Sequence, residues 1–166
     1  MYQKDFKTKS EGHQNKDGFR ETIEVFKQKH PFKTEWVSNA ADEELISFSE
    51  AAGKYMAPMD KFKKEDKQAL SKSQIRNVFG EIKRIQQKGI CLQESYTSFL
   101  ILKPKVAYAN GRNKSMGMEL FKWIFDEGWE VVNQCKDNSR KQIVYNNFCN
   151  VLESILAYHK AYGGKD

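Results

Sequence analysis

The sequence predicts an all-α fold, a single-domain bundle of about five helices behind a flexible N-terminal tail. Three observations carry it. Apolar residues recur at three- and four-residue spacing, most cleanly at Val144, Phe148, Val151, Ile155, Tyr158 and Tyr162. Capping residues and glycine stops bracket such windows. The one apolar run that passes for a buried strand, Tyr96 to Leu102, has no second strand pattern to pair with.

In chain order, residues 1–18 are polar, glycine-containing and mixed in charge, the composition of a disordered tail. The helical-bundle domain then runs over 19–166. Phe19, Ile23 and Phe26 repeat at helical spacing until Pro31 ends the pattern after His30. Asn39 is the expected N-cap of a second helix, with Asp42, Glu43 and Glu44 in its first turn, where the helix dipole favours acids. Leu45, Phe48, Ala52 and Tyr55 form its inner stripe, and Gly53 with Pro58 marks its far end. From Glu35 to Asp60 six acids face one Lys54, a net of −5, so this surface turns away from any polyanion or meets a basic neighbour.

Phe62 to Gln68 reads as a lysine-rich linker. The next helix, Leu70 to Lys88, has the clearest start in the chain. Ser71 at the N-cap and Gln74 three residues later form a capping box, and Leu70 with Ile75 has the spacing of a hydrophobic staple. Gly89 stops it. Ile75, Val78, Phe79, Ile82, Ile85 and Gln86 share one face; Lys72, Arg76, Lys83 and Gln87 line a second stripe. Ile90 to Leu102 is expected to hold a helical turn or short helix. Pro104 then suits a first helical position, and Lys105, Tyr108, Ala109 and Arg112 share a face of the helix it opens. Leu120 to Gln134 carries Leu120, Phe121, Ile124, Val131 and Val132 inward, with Gly128 as a close-packing point and Trp123 and Trp129 in or beside the core. The last helix closes at Gly163-Gly164.

The chain has 166 residues, a net charge of +6 and a hydrophobic content of 39%, enough to bury a core. Residues 61–90 hold nine basic and three acidic residues, a local +6 equal to that of the whole chain, which marks a polyanion-attracting surface. No apolar run approaches the roughly 20 residues of a membrane span, and the N-terminus has no secretory h-region. Cys91, Cys135 and Cys149 are odd in number and widely spaced, as reduced thiols of a cytoplasmic protein would be; Cys149 has the setting of a small buried hydrophobe. The three histidines, His13, His30 and His159, lie far apart, and His159 is expected at the surface or half-buried. No zinc-ligand spacing, phosphate-cradling glycine loop or acid–base pair stands out, so neither a catalytic residue, a metal site nor a cofactor is expected.

Three segments together carry a family likeness: Leu70-Ser-Lys-Ser-Gln-Ile-Arg76, Leu102-Lys-Pro-Lys-Val-Ala-Tyr-Ala-Asn-Gly-Arg112, and Leu152-Glu-Ser-Ile-Leu-Ala-Tyr-His-Lys-Ala-Tyr-Gly-Gly164. In order and spacing they resemble the small subunit of the type III-A CRISPR effector, the Csm ribonucleoprotein complex. Ala51-Ala-Gly-Lys-Tyr55 is similar to the helix preceding the first motif in that family. The resemblance covers residues 36–165, leaving 1–35 as an extension. It implies a helical protein of antiviral defence, present in several copies that stack beside the guide-holding subunits and against the guide–target duplex. The implied partners are guide RNA, target RNA, other subunits of the complex and further copies of itself, with no membrane. Target cleavage and cyclic-nucleotide synthesis belong to other subunits.

The residue chemistry and the resemblance meet at Arg76, Lys103, Lys105 and Arg112, expected to hold RNA phosphates. Lys72, Lys83 and Arg84 join them on helix geometry alone. Sequence reading is left to guide pairing, as in other RNA-guided systems. Two other readings stay open from the residues themselves: a helical scaffold whose basic faces meet acidic protein partners, and a stand-alone, non-specific nucleic-acid binder. Because ordering residues 1–18 would cost about 1–2 kcal/mol each in backbone entropy with few apolar side chains to bury, the tail is expected to be dispensable. A deletion starting near Phe19 should melt cooperatively within a few degrees of the full chain, and loss of that transition would place the tail in the core.

Overall fold

The computed structural model describes residues 20–59 and 66–164, which are all-α, with no strand among them. Seven helices follow in order: α1 (Ile23–Lys29), α2 (Glu35–Ser38), α3 (Glu43–Met56), α4 (Lys72–Lys88), α5 (Gln93–Arg112), α6 (Met116–Gln134) and α7 (Asn138–Ala161). The expected tail and the first part of the Phe62-to-Gln68 linker lie outside the described residues.

Seven helices stand where about five were expected. The extra one, α2, is a single turn, too short to show a period in sequence. It forms because Trp36 and Val37 are buried. Trp36 Nε1 also donates to Asp42 Oδ1 at 2.7 Å, and that same oxygen accepts the Leu45 N–H at 3.0 Å. Asp42 is therefore the N-cap of α3, and Asn39 instead closes α2. α1 ends as expected at His30 before Pro31, but it starts only at Ile23, where Thr22 in extended backbone caps it, later than the repeat from Phe19 suggested.

Ile90 to Arg112 departs further from expectation. The structure runs one helix, α5, straight through Pro104 instead of starting a helix there. A proline inside a helix removes the N–H that would bond the carbonyl four residues back, here that of Leu100. Leu100 and Pro104 both lie on the exposed side, where water can take that carbonyl. Phe99, Leu102 and Val106 on the opposite side are fully buried and hold the helix together. Tertiary burial overrides the local cost.

The core centres on α7, which packs against α2, α3, α4 and α6. Gly53, expected near the end of its helix, is instead the point where α3 crosses α7. A Cβ there would fall 2.6 Å from the His159 nitrogen and 2.6 Å from Tyr158 Cβ, so the two backbones are nearly in contact. Gly128 plays the expected close-packing role in α6, against the ring of Phe148. On the other side of α7 the Tyr145 hydroxyl donates to the Ile82 carbonyl at 2.8 Å, and Gln142 Oε1 accepts the Ile90 N–H at 2.9 Å. These two bonds clamp α4 and the turn after it.

His159 also corrects the sequence reading. It is 1% exposed because α3, Leu70 and Gly164 close around its ring. Cys149 is buried as expected, and that burial pushes its thiol up to about 12. Trp129 is buried, donating to the Phe99 carbonyl at 3.0 Å, and Trp123 is half-buried, donating to Glu127 at 3.1 Å. Arg20 is a further structural cation, 5% exposed at its side chain. It donates to the carbonyls of Tyr55 (2.8 Å) and Ala57 (2.5 Å) at the α3 C-terminus and pairs with Asp66 at 2.9 Å. Asp66 also accepts the N–H groups of Met59 and Gln68, at 3.0 and 2.9 Å, which ties Met59, just past α3, to the approach to α4.

Two glycines should respond in opposite directions to the same change. Gly53→Ala drives a Cβ into α7 backbone and is expected to lose about 1–3 kcal/mol through overpacking. Gly80, inside α4, has nothing within 4 Å of an added Cβ. Gly80→Ala should gain about 0.5–1 kcal/mol from helix propensity. Urea unfolding of both variants with unchanged m-value measures it, and equal effects would sink the crossing argument.

Candidate nucleic-acid interface

The start of α4 is built as its sequence dictates. Ser71 is the N-cap in extended backbone and the capping box forms. Gln74 Oε1 accepts the Ser71 backbone N–H at 3.0 Å and the Ser71 hydroxyl at 2.9 Å. Val78, Ile82 and Ile85 are buried, and Gly89, at φ +96°, ends the helix in a conformation that favours glycine. Gln74 does a second job. It is only 8% exposed, and its Nε2 donates to the Asn113 carbonyl, the C-cap of α5, at 2.8 Å. The first turn of α4 is thereby tied to the last turn of α5.

A groove of about 790 Å³ lies between the two tied helices, lined on the α4 side by Ser73, Asn77 and Val78 and on the α5 side by Ile101, Lys105, Tyr108 and Arg112. No carboxylate lines it among the described residues. Lys105, Tyr108 and Arg112 share the exposed face of α5, as their spacing predicts. Ser73 and Asn77 also border a shallow cleft that contains Arg76, which places Arg76 at the lip of the groove. Arg76, Lys105 and Arg112 are exposed and enter no ion pair among the described residues.

Three of the other four predicted cations are engaged inside the chain. Lys83 faces α7, where it pairs with Glu153, and also bonds Gln86 at 3.3 Å. Arg84 holds Glu81 at 2.5 Å and the Ser98 hydroxyl at 3.1 Å. Arg84, with a smaller attraction from Lys105, keeps the Glu81 carboxyl below its ordinary range. Lys103 points toward α6, 3.5 Å from Glu130 and 4.3 Å from the centre of the Trp129 ring. Lys72 opens α4, and its side chain is outside the described residues. The structure thus gathers three of the seven around one groove and disperses three others. Tyr108 lines that groove on the face its spacing predicted, whereas Ser73 and Asn77 line it without having been singled out. A polar i, i+4 pair flanking Arg76 was their signal in sequence.

A family model described as Csm2 Type III-A matches residues 42–165. The chain belongs to the Csm2 family. Csm2 proteins are structural small subunits of type III-A CRISPR complexes and assemble with the other subunits. The family region starts at the α3 N-cap and contains all seven predicted site residues and the whole α4–α5 groove. α1 and α2 lie before it, yet Ile23, Phe26, Trp36 and Val37 are part of the buried core. Comparison with curated proteins and with solved structures gives no match. No helix among the described residues is long and apolar enough to cross a membrane.

A second cleft separates α4 from α7, lined by Ile75, Arg76, Phe79, Glu153, Leu156 and His159. Burial pulls His159 below its ordinary value; a hydrogen bond that its ring donates to the Leu70 carbonyl opposes this and the Lys160 charge adds to it. The folded chain therefore resists a proton that the unfolded chain takes up. Stability from this group is full above the unfolded value near 6.5 and falls as pH drops below it. Urea midpoints are expected to decline between pH 7.5 and 5.5, before carboxylates titrate, and His159→Asn should flatten that decline with His30 intact as a control. An unchanged slope in the variant would assign the decline elsewhere.

Proposed function

We propose that this chain is the non-catalytic, RNA-binding small subunit of a cytoplasmic type III-A CRISPR surveillance complex. It contacts guide–target RNA through phosphate-directed basic residues and packs against neighbouring subunits and further copies of itself. The observation that carries the RNA contact is the α4–α5 groove: Lys105 and Arg112 line it unpaired, Arg76 stands unpaired at its lip, and no carboxylate lines it among the described residues. Arginine and lysine placed this way bind backbone phosphates without reading sequence, which suits a subunit that meets many different targets.

Lys72 belongs to this reading by its place in the first turn of α4 alone. Lys83, Arg84 and Lys103 serve secondarily in this reading, because each would have to exchange an internal acid for a phosphate. The non-catalytic role is supported by the state of the nucleophile and base candidates. Cys149 is buried with its thiol held protonated, and His159 is sealed in the core.

Three or four phosphate contacts set a log–log salt slope of about −2 to −3 on single-stranded RNA. Arg76→Ala, Lys105→Ala and Arg112→Ala should each weaken binding alike for every sequence and reduce the slope by about 0.7. Their melting should stay within about 0.5 kcal/mol of the parent. Lys83→Ala is the contrast: it breaks an exposed ion pair worth about 0–1 kcal/mol and should leave the slope unchanged. Salt titrations and melts on the same preparations test this, and a salt-independent affinity would overturn the reading.

A further inference from the structure

We propose that the α4–α5 groove takes an unpaired RNA nucleotide, its base stacked on Tyr108 while Lys105 and Arg112 hold the phosphates on either side. This rests on the RNA-binding reading above and specifies the ligand of the same groove. Tyr108 is 69% exposed, the most exposed of the large apolar side chains among the described residues. Its ring stacks on no other ring and its hydroxyl makes no hydrogen bond among the described residues, unlike Tyr55, Tyr96, Tyr145 and Tyr162. A buried tyrosine gives its hydroxyl a partner, whereas Tyr108 leaves both ring face and hydroxyl to solvent; Tyr158 also makes neither contact but is half-buried.

Position completes the argument. Lys105 lies three residues before Tyr108 and Arg112 four residues after it, one turn away on each side of the same helix face. The two cations are then roughly 10.5 Å apart along the axis, flanking the ring and leaving it uncovered. Ile101 continues the apolar surface along α5, while Ser73 and Asn77 on the facing wall offer donors and acceptors to the edge of any base. An A-form duplex keeps its base faces inside the stack and would bring only sugar and phosphate to this ring. A single strand, or a nucleotide out of the stack, presents the π-face that an exposed aromatic between cations binds without sequence preference. An acidic protein segment would satisfy the cations but gives the ring no partner.

The test compares the full chain with Tyr108→Ala and Tyr108→Phe, each first checked for an unchanged melt. The probes are a mixed-sequence RNA single strand, its duplex, and an abasic ribose-phosphate strand of equal length. The wild type is expected to favour the base-bearing strand over both others by about five-fold or more, the lower bound for one stacked base. Tyr108→Ala should lose that preference yet bind the abasic strand as the wild type does, with the salt slope intact; Tyr108→Phe should keep it. Equal wild-type binding of base-bearing and abasic strands, or of single strand and duplex, overturns the stacking proposal and leaves phosphate binding standing. So does a Tyr108→Ala loss equal on all three probes. If Tyr108→Ala leaves RNA binding untouched but abolishes self-association in sedimentation, the face belongs to protein and the proposal fails. Failure of the wild type to bind any of the three probes would instead bring down the RNA reading itself.

Discussion

The crossing of α3 over α7 at Gly53 governs the placement of everything that follows it. A hydrogen in place of a side chain lets α3 rest on the backbone of Ile155 and His159 and on the Cβ of Tyr158, where His159 is buried. The carbonyl of Met56, the last residue of α3, accepts the Leu70 N–H at 2.9 Å, and Leu70 precedes the N-cap of α4. Arg20 and Asp66 secure the same corner from outside. The start of α4 is thus located by the core and not by the linker leading to it.

From that corner the geometry passes to the groove through few groups. The capping box fixes the first turn of α4, and the free end of Gln74 reaches the Asn113 carbonyl, bringing the last turn of α5 alongside. Tyr145 and Gln142 of α7 hold the far end of α4 and the turn after it. Two helices held at both ends present Arg76, Lys105, Tyr108 and Arg112 on rigid backbone, the arrangement a binding surface needs to avoid an ordering cost. The glutamine does this with a side chain whose oxygen and nitrogen are both used, so a buried polar group is satisfied while joining two helices.

Charge is divided by the same packing. Arg20, Lys83 and Lys103 each meet an acid or a carbonyl brought near by another helix or turn, and Arg84 meets Glu81 one turn back on its own helix. Arg76, Lys105 and Arg112 enter no ion pair among the described residues, Lys105 and Arg112 lining the α4–α5 groove and Arg76 standing at its lip. The −5 stretch of the Glu35-to-Asp60 segment remains separate from the groove, as its charge suggested. The chain's excess of positive charge therefore reaches the surface at a few chosen places.

Much of this was legible in residues alone. The all-α class, the end of α1, the capping box and glycine stop of α4 and the shared face of Lys105, Tyr108 and Arg112 depend on interactions within about four residues of chain, while the packing role of Gly128 and the burial of Cys149 follow from their places in local apolar patterns. Such interactions are written in spacing. The rest depended on residues remote in sequence. The one-turn α2 exists because Trp36 is buried; α5 passes through Pro104 because Phe99, Leu102 and Val106 are anchored beneath it; Gly53 and His159 take their roles from each other across α3 and α7. Lys83 and Arg76 share a basic stripe, but only Lys83 meets an acid, Glu153, 70 residues away. Local pattern determined which segments are helices and which faces carry charge. Tertiary packing decided which charges are spent on the fold and which remain for a partner, because a cation's fate depends on which acid the core brings within reach.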